Sequence, residues 1–107
     1  MTDRIILARF LRVGAFAGRP DCELAISFGA PVTGSAGQKI VLVRVSSLHF
    51  DYRLHIQGED DLQALSFAMD AAQLYLESLV EQGIPIYVYE PGDLDLADFW
   101  RSPLGHQ

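Results

Sequence analysis

Polar residues recur at Gln63, Ser66, Asp70, Gln73, Glu77 and Glu81, and most positions between them are apolar. Spacings of three and four trace one narrow wet stripe along a helix. Asp60 is placed to be the N-cap, and Gln63 three residues later makes an aspartate variant of the capping box. Glu59, Asp60 and Asp61 suit the positive end of the macrodipole. Gly83 supplies the stop as a left-handed residue past the last turn, and Pro85 bars continuation. The pattern predicts a helix of about 23 residues, roughly 34 Å long.

The dry side of that helix is wide. A surface helix needs an apolar arc of about 100°, and a wheel drawn for this one gives about 240°. Leu62, Leu65, Met69, Ala72, Leu76 and Leu79 form one ridge. Phe67 and Leu74 form a second, across an alanine strip of Ala64, Ala68 and Ala71. Small alanines let a sheet approach closely. The excess arc needs cover from the tail or a second subunit, because large exposed apolar patches are rare on monomers. An entirely intramolecular core is the equal alternative.

Ahead of the helix the period changes to two. Cys22, Leu24, Ile26 and Phe28 alternate with Glu23, Ala25 and Ser27, the mark of a strand with one dry face. Lys39 to Val45 is a β-branched run of the kind that fills a central strand. Ser46-Ser47 reads as a short turn. From Leu48 to Gln57 the alternation returns, with Leu48, Phe50, Tyr52, Leu54 and Ile56 inward and His49, Asp51, Arg53, His55 and Gln57 outward. Arg4 to Val13 reads as a first strand with an untidy pattern. Arg9 and Arg12 fall on opposite faces, which places one of them at an edge; a helix is the competing reading. Gly14 to Pro20 breaks it, and Gly29 to Gln38 is a loop.

After the helix, Ile84 to Glu90 reads as a short strand with Tyr87 and Tyr89 on one face. A strand parallel to the one before the helix would require a right-handed crossover. Pro91-Gly92-Asp93 turns the chain, and residues 93–100 read as a helical turn pinned by Leu94, Leu96, Phe99 and Trp100.

The opening Gly58-Glu59-Asp60-Asp61-Leu62-Gln63-Ala64-Leu65 resembles the G-x-D-S-L-Q-A-L helix start of a family of small bacterial domains of unknown function. Gly58, Asp60, Leu62, Gln63, Ala64 and Leu65 match, and Asp61 stands where that family tends to have serine. The likeness extends loosely over residues 3–82, in the order of strands followed by one helix. The resemblance implies that fold and brings no catalytic residues with it.

Composition changes the picture in two ways. At 107 residues, half of them hydrophobic, the chain suits one globular domain over 1–107. Its net charge of −6 is unevenly placed. Residues 1–54 hold seven Lys/Arg and four Asp/Glu, whereas 55–107 hold Arg101 against ten acids. An acidic chain argues against nucleic acid and suits a protein partner with a basic surface; acids that simply keep a small domain soluble explain it as well. Arg9 and Arg12 interrupt any signal-peptide core, and no run approaches a membrane span. With a single cysteine, Cys22, the expectation is a cytoplasmic protein without a disulfide.

Candidate chemistry is thin. Gly34-Ser35-Ala36-Gly37 lacks the ending of a phosphate loop. His49, Asp51, Arg53 and His55 would line one strand face, but six residues put the two histidines about 20 Å apart, too far to share a metal. Asp93, Asp95 and Asp98 lack the central glycine and terminal glutamate of a calcium loop. No catalytic motif is present, so no enzyme, metal or cofactor is expected. The remaining candidates are partner-binding residues: Phe67 and Leu74 on the helix, and an aromatic cluster of Tyr87, Tyr89, Phe99 and Trp100 that reads either as a recognition patch or as a core corner.

The expected fold is α+β, an antiparallel sheet of four to five strands with one long helix on one face, in ββββαβ order. The expected function is binding of a protein partner, as in immunity or antitoxin-like proteins. A secretion-chaperone-like homodimer and a small-molecule-binding domain with a pocket near Tyr52 and Tyr75 are the alternatives.

Overall fold

The computed structural model describes residues 4–94. They form β1 (Ile5–Val13), β2 (Cys22–Gly29), β3 (Val32–Thr33), β4 (Lys39–Ser47), β5 (Asp51–Gly58), α1 (Asp61–Glu81) and β6 (Ile86–Tyr87). The fold is α+β, one helix on one face of an antiparallel sheet. β1, β2, β4 and β5 make a meander, and β3 continues the β2 side of β4 across a loop expected to be irregular. β6 does not lie parallel to β5. It returns to the far edge and pairs antiparallel with β1 through Arg12–Tyr87 and Val13–Ile86.

The register explains the core. Leu11 faces Leu24, Ile26 faces Val45, and Phe28 faces Val43, so the dry residues of neighbouring strands share one face. Tyr52, Leu54 and Ile56 extend that face across β5, opposite Val45, Val43 and Val41. α1 packs over β4 and β5 and reaches β2, burying Ala64, Ala68, Ala72, Leu76 and Leu79. Cys22 is a partly buried free thiol packed against this core.

Both helix ends obey local rules. The Asp60 carboxylate accepts the Gln63 N–H at 2.7 Å. The Gln63 amide oxygen accepts a hydrogen bond from the Glu59 N–H, one residue before the cap, at 2.8 Å. At the far end Gly83 takes φ +89°. Its N–H bonds the Val80 carbonyl and the Ile84 N–H bonds the Leu79 carbonyl, the paired bonds of a Schellman stop.

Three positions depart from the pattern. β4 continues through Ser46 and Ser47, and the turn falls on the next residues because the Ser47 hydroxyl accepts the N–H groups of His49 and Phe50. Leu48 therefore sits on that turn, largely exposed, instead of inward. Leu62 is also exposed: at 100° per residue it lies about 120° round from Ala68, beyond the stripe that faces the sheet. The segment after α1 yields only the two residues of β6.

Candidate functional site

α1 buries Ala64, Ala68, Ala72, Leu76 and Leu79 against the sheet and leaves Phe67 and Leu74 on its outer flank. Ala64, Ala68 and Ala72 are fully buried, whereas Phe67 and Leu74, one heptad apart on its flank, are 47% and 64% exposed. Exposed Asp61, Asp70 and Glu81 stand on the same helix. Phe67 and Leu74, expected as partner-binding residues, thus stand exposed on a helix that also carries exposed acids.

The tyrosines lie on another element. Tyr87 is half-buried in β6, opposite Arg12. It accepts a hydrogen bond from the Arg12 guanidinium, which, with Asp21 at 3.5 Å, raises that group's pKa above its ordinary value. Tyr89 lies past the strand, 76% exposed. It stands near Arg9, whose pKa burial lowers while Tyr89 acts the other way. The strand stops short of Tyr89 because Asp93 claims the backbone. Its carboxylate accepts N–H groups from Val88 at 2.8 Å, Tyr89 at 2.8 Å and Glu90 at 3.0 Å. Those bonds hold the Asp93 carboxyl below its ordinary pKa and close a turn, not a calcium loop. Phe99, Trp100, Asp95, Asp98 and the expected helical turn lie outside the described residues.

The acidic and histidine row on β5 is a solvated face. Asp51 takes two hydrogen bonds from Arg44, at 3.1 and 3.2 Å, and one from Arg53, which together depress its pKa. His49 is not in line with His55. It precedes β5, with Nε2 3.0 Å from the Pro20 carbonyl and its ring edge-on to Phe16 at 5.8 Å, so it clips two loops together. Among the described residues no three His, Cys, Asp or Glu side chains gather as metal ligands.

Two clefts flank the helix ends. A polar one of about 480 Å³ includes Gln38, Gln57, Glu59 and Gln63 in its lining. Its Gln38 and Gln63 amide oxygens are already engaged by the backbone N–H groups of Ala36 and Glu59. An apolar one of about 310 Å³ is lined by Val80, Ile84, Ile86, Tyr87, Pro91 and Leu94 among others. Between helix and sheet, Tyr52 and Tyr75 stack on each other, centroids 4.0 Å apart and rings 7° from parallel.

A further apolar surface was not anticipated. Ile5, Ile6, Leu7 and Phe10 of β1 are all exposed. β6 covers only Arg12 and Val13, so the outer edge of β1 from Ile5 to Leu11 has no strand partner among the described residues. The sequence signal was there: Ile5 to Ala8 are apolar on both faces, as in a strand covered from both sides.

No family model, curated protein or solved structure matches this chain. No helix among the described residues is long and apolar enough to cross a membrane.

Proposed function

We propose that this protein is a cytoplasmic protein-interaction module of the immunity or antitoxin-like kind, acting by covering a partner's surface and not by catalysis. One observation carries the reading: outside the stripe that α1 buries, which includes Leu76 and Leu79 with its alanines, Phe67 and Leu74 remain 47% and 64% exposed. A helix serving only its own core has no need of further large apolar side chains beyond that stripe. Acidic neighbours add a preference for a basic partner, acting mainly on encounter rate and specificity.

A pull-down from native lysate at low and high salt tests this, with wild type and Phe67→Asp as parallel baits. The expected result is a stoichiometric basic protein held by wild type, released by salt and absent from a folded Phe67→Asp bait. Equal capture by both baits would overturn the reading. Light scattering separates the rival: a wild-type dimer that becomes monomeric with Phe67→Asp would favour the chaperone-like homodimer.

A further inference from the structure

The helix takes one face of the sheet, the side of Val41, Val43 and Val45. Among the described residues no second helix or strand layer lies over the other face. Side chains alternate along a strand, so that open face carries the residues between the core positions. Strand pairing sets eight of them in two adjacent rows. One runs Phe10, Ala25, Ser46, Asp51 across β1, β2, β4 and β5, and the next runs Ala8, Ser27, Arg44, Arg53. Phe10 stands exposed at the end of its row, with exposed Ala8 beside it.

The two rows complement each other. A two-fold axis lying in the face, between the rows and across the strands, exchanges them when a second copy is laid sheet to sheet in the aligned manner. Phe10 of each copy then sits over Ala8 of the other, Ala25 over Ser27, and Asp51 over Arg53. Large meets small and acid meets base, each twice. An unrelated protein would have to supply both rows, whereas a second copy supplies them by symmetry. Asp51 accepts three hydrogen bonds from Arg44 and Arg53 of its own chain, and a carboxylate has room for about one more.

Charge and area agree. Exposed Asp61, Asp70 and Glu81 belong to α1 on the opposite layer, so two copies of net charge −6 meet with those acids turned away. Four strands about 4.8 Å apart and about eight residues long offer roughly 500 Å² of flat face per copy, or about 1,000 Å² in the pair, where specific interfaces begin.

We propose that this open face is the interface of a symmetric homodimer, two copies packed sheet on sheet with Phe10 of each seated on Ala8 of the other. The surface is separate from Phe67 and Leu74 on α1, so either can fail without the other.

Sedimentation equilibrium of the full-length protein from about 1 µM to about 1 mM should show one chain mass passing to two. Phe10→Asp should weaken the dimer about tenfold or more with an unchanged circular dichroism spectrum. If that variant unfolds, Ala8→Gln fills the receiving position and should weaken the dimer likewise. Asp51→Arg and Arg53→Asp should each weaken it about tenfold alone, because like charges then face across the axis. An equimolar mixture of those two variants should associate as wild type does, each arginine again facing an aspartate. Phe67→Asp should leave the mass unchanged. A protein monomeric throughout that range, a dimer indifferent to Phe10→Asp and Ala8→Gln, a dimer lost with Phe67→Asp, or a mixture no better than its components would each overturn the proposal.

Discussion

Gly58 ends β5 against the first turn of α1, and a β-carbon built there would lie 2.7 Å from the Cα of Ala64 and closer still to its backbone nitrogen. Neither backbone atom can move without shifting the helix. Ala64 is itself fully buried, so strand end and helix start meet at the two smallest side chains available.

Gly58→Ala should therefore destabilise the protein by about 1–3 kcal/mol, the usual cost of overpacking. Urea unfolding should show a lower midpoint with an unchanged slope. An unaltered midpoint would mean that the two elements separate easily, and that the close approach does not matter to the fold.

The same stretch shows what the sequence made legible. Gly58 is needed for the close approach, Asp60 caps, Gln63 bonds both ways, and Ala64 touches the sheet. Those roles follow from rules acting over a few residues, as does the alternation of β5. Leu62 is the motif position the fold does not use, being exposed. What stayed hidden depends on distant partners or on one side chain redirecting the backbone. β1 reads as an untidy strand with one arginine at an edge, and nothing in Ile5 to Ala8 reveals that β6 pairs with only its last two residues. β6 reads as longer because the grip of Asp93 on Val88, Tyr89 and Glu90 has no periodic signature. The turn after Ser47 was misplaced for the same reason, a single hydroxyl accepting two N–H groups.

The two sides of α1 should respond oppositely to substitution. Leu76 is fully buried, and Leu76→Ala should cost about 2–5 kcal/mol through lost transfer energy and a cavity. Phe67 is about half exposed, and Phe67→Asp should cost less than about 1 kcal/mol. Chemical denaturation of both variants checks the contrast. A Phe67→Asp protein as unstable as Leu76→Ala would make Phe67 part of the core and remove it from any partner surface.

Tyr52 and Tyr75 form the one described stacked pair joining β5 to the helix. Burial raises the Tyr75 pKa, with a smaller contribution from Tyr52. A double-mutant cycle with Tyr52→Leu and Tyr75→Leu should return a coupling of about 0.5–1.5 kcal/mol, typical of aromatic pairs. Additive effects would show that the rings fill space independently.

Asp93 gives stability a dependence on acid. Three N–H donors hold its ionised carboxylate, so the folded pKa lies below the ordinary value of 3.8. A depressed carboxyl contributes stability that is fully present above the unfolded pKa and lost as pH falls through the folded one. Asp51, paired with Arg44 and Arg53, contributes in the same direction and the same window. Asp93→Asn keeps an acceptor oxygen but carries no charge, so it should be less stable than wild type at neutral pH, and the gap should close as pH drops below about 4. Unfolding midpoints measured from pH 7 to pH 2 for both proteins decide it. A gap that stays constant across that range would mean that the turn is held by its hydrogen-bond geometry alone, and that the charge on Asp93 contributes nothing.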